Sequence, residues 1–97
     1  MPTHGSLTQE PAIQKDLLRR LRSANGHLGG VERMVAEGAY CIDILKQVAA
    51  VQSALSKVAH SISSVHMKHC VRQAMLSDGG EERIDELMEA LRYLKHF

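Results

Sequence analysis

Two cysteines and one histidine in this sequence have the side chains and the spacing of a metal site. His66 and Cys70 are four residues apart, so on a helix both side chains lie on one face, one turn apart. Cys41 precedes His66 by 25 residues. On a straight helix that separation is about 37 Å, far beyond a metal–ligand bond of ~2.0–2.3 Å. If the three residues bind one ion, two antiparallel copies of the helix must bring Cys41 of one subunit to His66 and Cys70 of the other.

The donor atoms narrow the choice of metal. Two thiolates and an imidazole suit Cu(I), which accepts three ligands, or Zn(II), which prefers four. Because a fourth ligand is not evident, the set favours Cu(I) over a structural zinc. Four other histidines are possible additional ligands: His4, His27, His60 and His69. Each cysteine also has a simpler interpretation, as a small apolar side chain in a core, which the spacing alone leaves open.

One long helix must carry all three candidate ligands. Residues 39–78 contain neither glycine nor proline, and their apolar side chains recur at alternating steps of three and four. A helix before it has Thr8 as its predicted N-cap, Pro11 in its first turn and Gly38 at its end. A third, shorter helix follows residues 78–80. No alternating strand pattern occurs, so the sequence predicts an all-α, three-helix subunit with a long central helix.

The length of the central helix predicts an oligomer. About 36 residues make a helix about 54 Å long, which one medium and one short helix cannot cover in a compact monomer. The apolar seam left over must meet another copy, most commonly with two-fold symmetry. Gly29 and Gly30 lie inside the first helix, where close packing of a second helix would be one reason to tolerate them.

Composition excludes several classes of protein. With 44% hydrophobic and 24% charged residues the chain is not a disordered tail, and two cysteines cannot staple a secreted domain. No apolar stretch reaches the length of a membrane span, and the N-terminus has no signal-peptide pattern. We therefore expect one cytoplasmic domain over residues 1–97, without membrane association, in which residues 1–8 are a flexible N-terminal tail.

The net charge of +1 conceals an uneven distribution. Residues 15–22 carry four cations and one anion, whereas residues 81–97 are net acidic. A basic patch suits a nucleic-acid partner, although it is also common on a solvated helix face. The sequence has no acid–base pair at a plausible spacing and no glycine-rich phosphate loop, so we do not expect an enzyme.

Two segments of the chain resemble the copper-sensing CsoR family of bacterial transcriptional repressors. They are residues 33–55, RMVAEGAYCIDILKQVAAVQSAL, and residues 66–70, HMKHC, and the resemblance extends over roughly residues 17–95. It implies an antiparallel dimer of three-helix subunits, two of which form a homotetramer. It also implies that the metal-free tetramer binds operator DNA and represses copper-export or copper-handling genes, and that Cu(I) lowers its affinity for DNA.

The same resemblance implies roles for individual residues. Cys41, His66 and Cys70 match the copper ligands of the family, at a site between subunits. Tyr40 and Glu86 match residues that hydrogen-bond to the ligands and carry the metal-bound state outward. The family binds DNA through basic residues of its first two helices, and the matching or neighbouring cations are Lys15, Arg19, Arg20, Arg22 and Lys57.

Several alternatives use the same residues. A persulfide-sensing or reactive-sulfur-sensing repressor would need only the thiol pair Cys41 and Cys70, without the histidine. A nickel or cobalt sensor would need more nitrogen ligands, for which His4 is a candidate. A formaldehyde sensor would use a cysteine and the amine of Pro2. A copper chaperone or store, which is a different class of protein, would need no basic patch.

Overall fold

The computed structural model describes residues 6–76 and 80–97. Within that part of the chain all regular structure is helical, as the sequence predicts. A 3-10 turn at Leu7–Gln9 precedes three α-helices: α1 (Pro11–Ala36), α2 (Cys41–Leu76) and α3 (Gly80–Leu94). The prediction of a three-helix chain with a long central helix is confirmed. The helix end predicted at Asp78 and Gly79, and most of the tail predicted for residues 1–8, lie outside the described residues.

Local sequence features explain where α1 begins and where it ends. The predicted N-cap, Thr8, is wrong: it belongs to the 3-10 turn, where its N–H donates to Ser6 Oγ at 3.3 Å. The helix begins instead at Pro11, whose missing N–H costs nothing in a first turn. It ends before Gly38, which has the left-handed φ of 68° that a glycine adopts freely. The next N–H, of Ala39, closes the helix end on the Met34 carbonyl at 2.9 Å.

Helices α1 and α2 form an antiparallel hairpin. Near its open end His69 Nε2 lies 3.3 Å from a Glu10 carboxylate oxygen, and near the connecting turn His27 Nε2 lies 2.6 Å from Gln47 Oε1. Along this hairpin the two helices bury apolar residues spaced seven apart, as in an antiparallel coiled coil. The buried residues of this seam are Leu17, Ala24 and Val31 of α1 and Val51, Val58 and Val65 of α2.

A second line of apolar residues on α2 stays uncovered. Val48, Leu55 and Ile62 are also spaced seven apart, and they are 44%, 37% and 40% exposed. Helix α3 folds back over the C-terminal half of α2. Together the two helices border a largely apolar groove that runs from Leu55 to His66 on α2 and from Glu86 to Phe97 on α3.

The subunit is far from compact. It measures 57 × 25 × 17 Å, and its radius of gyration is 17.3 Å, against about 12.5 Å for a globular domain of this length. Its accessible surface is 7216 Å², whereas a compact monomer of 10.7 kDa exposes about 5,500 Å². The excess accessible surface corresponds to the uncovered side of the long helix α2.

Close packing of a second helix, one reason to tolerate the two adjacent glycines of α1, is not seen among the described residues of the subunit. A Cβ atom built on Gly29 or Gly30 would meet only the guanidinium of Arg33, at 3.8 Å and 3.7 Å. The reason is that α2 approaches α1 along a different face. Among the described residues, no helix is long and apolar enough to cross a membrane.

Candidate metal centre

His66, Cys70 and Glu86 come together where the end of α2 meets the start of α3. One ligand atom from each lies within 4.8 Å of the others. Because bonds of ~2.0–2.3 Å place tetrahedral donor atoms roughly 3.3–3.8 Å apart, side-chain shifts of about 1 Å would close the cluster on an ion. His66 and Cys70 sit one turn apart on α2, at the spacing read from the sequence, and α3 supplies Glu86.

Cys70 is buried in surroundings that favour its neutral thiol. Only 2% of it is exposed, and its Sγ donates to the carbonyl oxygen of Arg83 at 3.2 Å. Burial raises the pKa of the thiol above its ordinary value, and the negative charge of Glu86 raises this pKa further, while Arg83 acts in the opposite direction. Since only the thiolate binds a metal, an incoming ion must displace this proton.

Glu86 is half-buried beside these ligands and is held by an ion pair. Arg83 Nη1 donates to Glu86 Oε1 at 2.7 Å, across one turn of α3. The sequence interpretation did not include Arg83. The signal that could have revealed it is the spacing of three residues between Arg83 and Glu86, which places an arginine and a glutamate on the same side of a helix.

Cys41 lies far from this cluster in the same chain. It is the first residue of α2, it is exposed, and α2 is unbroken from there to Leu76. The helical rise puts it about 37 Å from His66. Tyr40, the residue before it, is also exposed. One chain therefore brings together two of the three predicted ligands and one of the two residues predicted to surround them.

Two of the other predicted histidine ligands have different contacts. His69 is buried, and its Nε2 faces the Glu10 carboxylate, which also lies 3.6 Å from Lys68 Nζ. His27 contacts Gln47 across the α1–α2 hairpin. The third, His60, is exposed on α2, and the fourth, His4, lies outside the described residues.

The cations predicted to contact DNA are all exposed. Four of them lie on α1. The fifth, Lys57, lies on α2, and its position along α1 follows from the register of the two helices. The contacts of Glu10 with His69 and of His27 with Gln47 fix the register, which places Lys57 of α2 at the level of Arg20. The predicted DNA-contacting cations of the two helices therefore lie at a similar level of the hairpin.

An acidic residue inside the basic patch partly neutralises it. Asp16 accepts hydrogen bonds from Arg20 Nε at 2.8 Å and from Arg19 Nη2 at 2.7 Å. These bonds, the one from Arg20 first, lower the pKa of the Asp16 carboxyl, so it stays ionised. The sequence interpretation counted this anion but did not pair it with the arginines.

The donor atoms at the α2–α3 junction fit a soft metal ion. A buried thiol and an imidazole are ligands that Cu(I) and Zn(II) both accept, and the carboxylate beside them is a ligand for harder ions. The burial of Cys70 keeps solvent from competing for one coordination position. Cys41, the second predicted thiolate, lies at the far end of α2 and is not part of this cluster within the described chain.

Comparison with known proteins identifies the family of this chain. The family described as metal-sensitive transcriptional repressor matches residues 13–93. The copper-sensing transcriptional repressor CsoR of Mycobacterium ulcerans is 41% identical over 76 residues, which are 78% of this chain and 65% of that protein. The chain thus spans slightly less than two thirds of the length of this relative.

Two solved structures are also similar. The nickel-responsive transcriptional regulator InrS has a TM-score of 0.76 and 40% identity, covering 82% of this chain and 90% of that one. The Cu(I) form of CsoR from Geobacillus thermodenitrificans has a TM-score of 0.76 and 36% identity, covering 84% of both chains. All these relatives are regulators of transcription, in agreement with the prediction that the chain is not an enzyme. The resemblance to CsoR is therefore confirmed, and the chain belongs to the family of metal-sensitive transcriptional repressors.

Proposed function

We propose that this protein is a Cu(I)-responsive transcriptional repressor. Its metal-free form binds operator DNA in the cytoplasm, and its Cu(I) form releases the DNA and allows copper-efflux or copper-handling genes to be expressed. The observation that carries the proposal is the pair of soft donors, Cys70 and His66, clustered at one end of α2 while the matching thiol of Cys41 lies at the other. The copper-sensing names of the relatives support it.

The uncovered apolar line of α2 supports an antiparallel dimer. Val48 and Ile62 lie seven residues on either side of Leu55, and Cys41 and His69 lie fourteen on either side. A second α2 that crosses antiparallel at Leu55 therefore brings the partner's Cys41 to the level of His69, next to Cys70. The same contact covers apolar side chains that a single subunit leaves exposed.

A further apolar line supports association of two such dimers into a tetramer. Leu21, Leu28 and Val35 are spaced seven apart on α1 and are exposed along the edge of the α1–α2 seam, where Leu21 and Leu28 border a groove with Leu55 of α2. Three apolar residues at heptad spacing make a suitable surface for another helix.

In the proposed site, Cys41 and Cys70 supply thiolates, His66 supplies an imidazole, and Tyr40 and Glu86 surround them. When bound, Cu(I) supplies a bond between the two subunits. Cys70 must lose the proton that it donates to Arg83, so the contact between α2 and the first turn of α3 changes with ligation. A 100-fold loss of DNA affinity corresponds to about 2.7 kcal/mol of coupling between the metal and DNA sites.

DNA binding is assigned to the basic patch of α1 and α2. Its side chains are exposed and carry no aromatic neighbours suited to base stacking, so they are suited to phosphate contacts. Affinity that depends strongly on salt is the expected consequence. The members of the patch are Lys15, Arg19, Arg20, Arg22 and Lys57.

An anaerobic Cu(I) titration of the reduced protein on its own promoter DNA, followed by fluorescence anisotropy, tests this function. We expect release at about one Cu(I) per subunit, loss of release in His66→Ala and normal release in His60→Ala, an exposed histidine of the same helix. Absence of operator binding would indicate the copper chaperone or store. Tight DNA binding that is unaffected by Cu(I) but is lost when a persulfide donor is added would assign the protein to sulfur sensing through Cys41 and Cys70.

Nickel sensing is a second candidate because of the 40% identity to nickel-responsive InrS. The cluster of imidazole, thiol and carboxylate contains donors that Ni(II) also accepts. The same titration with Ni(II) distinguishes the two metals. Two results together would replace copper by nickel in the proposal. One is release of the DNA at a free Ni(II) concentration below the free Cu(I) concentration that the cell allows, and the other is no response to Cu(I).

A further inference from the structure

Arg83 contacts two of the three clustered residues at once. Its backbone carbonyl accepts a hydrogen bond from Cys70 Sγ at 3.2 Å, and its guanidinium donates to Glu86 Oε1 at 2.7 Å. The side chain is half-buried, so its charge lies inside the α2–α3 junction rather than in bulk solvent. Arg83 is therefore fixed to the site from both its backbone and its side chain.

Glu86 would change the type of metal coordination at this site if it became a ligand. With Cys41 of the partner subunit, His66 and Cys70 make a three-ligand set of soft donors suited to Cu(I). A carboxylate oxygen added to that set would complete four ligands, which is the arrangement that Zn(II) prefers. Glu86 is close enough to join, because its oxygen lies within 4.8 Å of the other two donors.

We infer that Arg83 determines the metal specificity of this site by favouring Cu(I) over Zn(II). The inference rests on the proposed function. A charge-assisted hydrogen bond from the guanidinium occupies one oxygen of the Glu86 carboxylate, and a metal ion would have to compete with it for that carboxylate. In addition, the positive charge of Arg83 repels a divalent ion twice as strongly as a monovalent ion at the same place. Both effects act against Zn(II) more than against Cu(I).

Metal affinities of four proteins test this role: the wild type, Arg83→Gln, Glu86→Gln and the double variant. Each is titrated anaerobically with Cu(I) and with Zn(II) in competition with a chelator. We expect Arg83→Gln to raise the Zn(II) affinity relative to Cu(I) by about tenfold or more, the size typical of changes next to ligands. The double variant should lose that gain, because it has no carboxylate to recruit. Arg92→Gln, an arginine near the end of α3, is the matched control and should keep the wild-type preference.

Two results would overturn the role of Arg83. One is an unchanged ratio of Zn(II) to Cu(I) affinity in an Arg83→Gln protein that melts cooperatively. The other is a gain in Zn(II) affinity that persists in the double variant. A measurement on the wild type tests the inference even if Arg83→Gln does not fold. The carboxyl ¹³C resonance of Glu86 is assigned by its absence in Glu86→Gln. In the Cu(I) form this resonance should not move to the chemical shift of a metal-bound carboxylate. A metal-bound shift there contradicts the inference.

Failure of the proposed function has a different signature. If the wild type binds no Cu(I) in these titrations, the copper-responsive repressor and the specificity role both fall. If the wild type binds Cu(I) and releases DNA, but Arg83→Gln changes the affinity for neither metal, only the role of Arg83 is contradicted.

Discussion

Cys70 retains its proton because its surroundings disfavour a thiolate. Burial removes water from the sulfur, Glu86 adds a nearby negative charge, and together these raise the pKa of the thiol. The Arg83 carbonyl accepts the proton in a hydrogen bond, which further stabilises the neutral form. If Cys70 binds a metal ion, as proposed, it exchanges a proton for that ion.

The apparent affinity for Cu(I) should consequently rise with pH. Below the thiol pKa each displaced proton makes the binding constant increase about tenfold per pH unit. We expect a slope of about one or more between roughly pH 6 and 8, measured by competition with a chelator whose own pH dependence is known. A flat profile would show that Cys70 is ionised before the metal binds, or that it is not a ligand.

Replacing Cys41 with alanine should abolish copper-induced release while leaving DNA binding intact. The residue is exposed at the start of α2, so its loss removes a soft donor without disturbing the core. Anisotropy of the operator complex measures both properties, and Ile42→Ala, at the next exposed position, is the control. Full release of the DNA by Cu(I) in Cys41→Ala would contradict the assignment of this thiol as a metal ligand.

At the scale of single residues, spacing predicted part of the site. The separation of four positions from His66 to Cys70 was enough to place them on one face of a helix. The position of Glu86 depends on how α3 docks against α2, which no local pattern encodes, and it entered only through family resemblance. Arg83 was missed because its significance comes from contacts with Cys70 and Glu86 rather than from its own type.

Among the helices, the α1–α2 seam carries most of the buried apolar surface. Leu17 is 2% exposed in that seam, and its neighbour Leu18 is 44% exposed outside it. Leu17→Ala should lower the free energy of unfolding by about 3 kcal/mol, because it leaves a cavity between two helices. Leu18→Ala should cost about 1 kcal/mol or less. Thermal or urea unfolding at one fixed protein concentration checks the difference, and equal losses would contradict the packing described.

The ion pairs of Asp16 make a prediction about DNA affinity. This carboxylate holds Arg19 and Arg20, so Asp16→Asn should free both guanidinium groups for phosphate contacts and strengthen operator binding. The slope of log affinity against log salt should become steeper by up to about one. Asp85→Asn in α3 changes the net charge equally and serves as the control. An equal gain from both variants would mean that net charge, not this patch, sets the affinity.

The pattern of α2 predicted the helix but not its partners. Steps of three and four residues indicated one long seam, and the structure divides it into two lines of heptad spacing. Val51, Val58 and Val65 face α1, whereas Val48, Leu55 and Ile62 remain open. All six side chains are aliphatic, so the sequence carries no mark that distinguishes the intrachain face from the open one.

On the scale of the whole molecule, the elongated shape follows from a helix longer than its own chain can cover. A radius of gyration of 17.3 Å and an accessible surface of 7216 Å² leave apolar side chains exposed that a stable fold has to bury. The open line of α2 ends near the His66–Cys70–Glu86 cluster. Burial of that line by a second copy would therefore complete the metal site in the same step.

Leu55→Glu tests this link between assembly and metal binding. In an antiparallel dimer the residue lies at the two-fold axis, so the variant opposes two carboxylates within an apolar contact, which is unfavourable for association. Because Leu55 is 37% exposed in the subunit, the helices themselves should still form. We expect a smaller assembly by analytical ultracentrifugation and, in the same samples, loss of tight Cu(I) binding, since each site then lacks the thiol of the partner's Cys41. Met75→Glu places the same charge at an exposed position off the line and should change neither property. Tight Cu(I) binding by a monomeric Leu55→Glu protein would show that one chain suffices for the site, and the intersubunit arrangement would have to be abandoned.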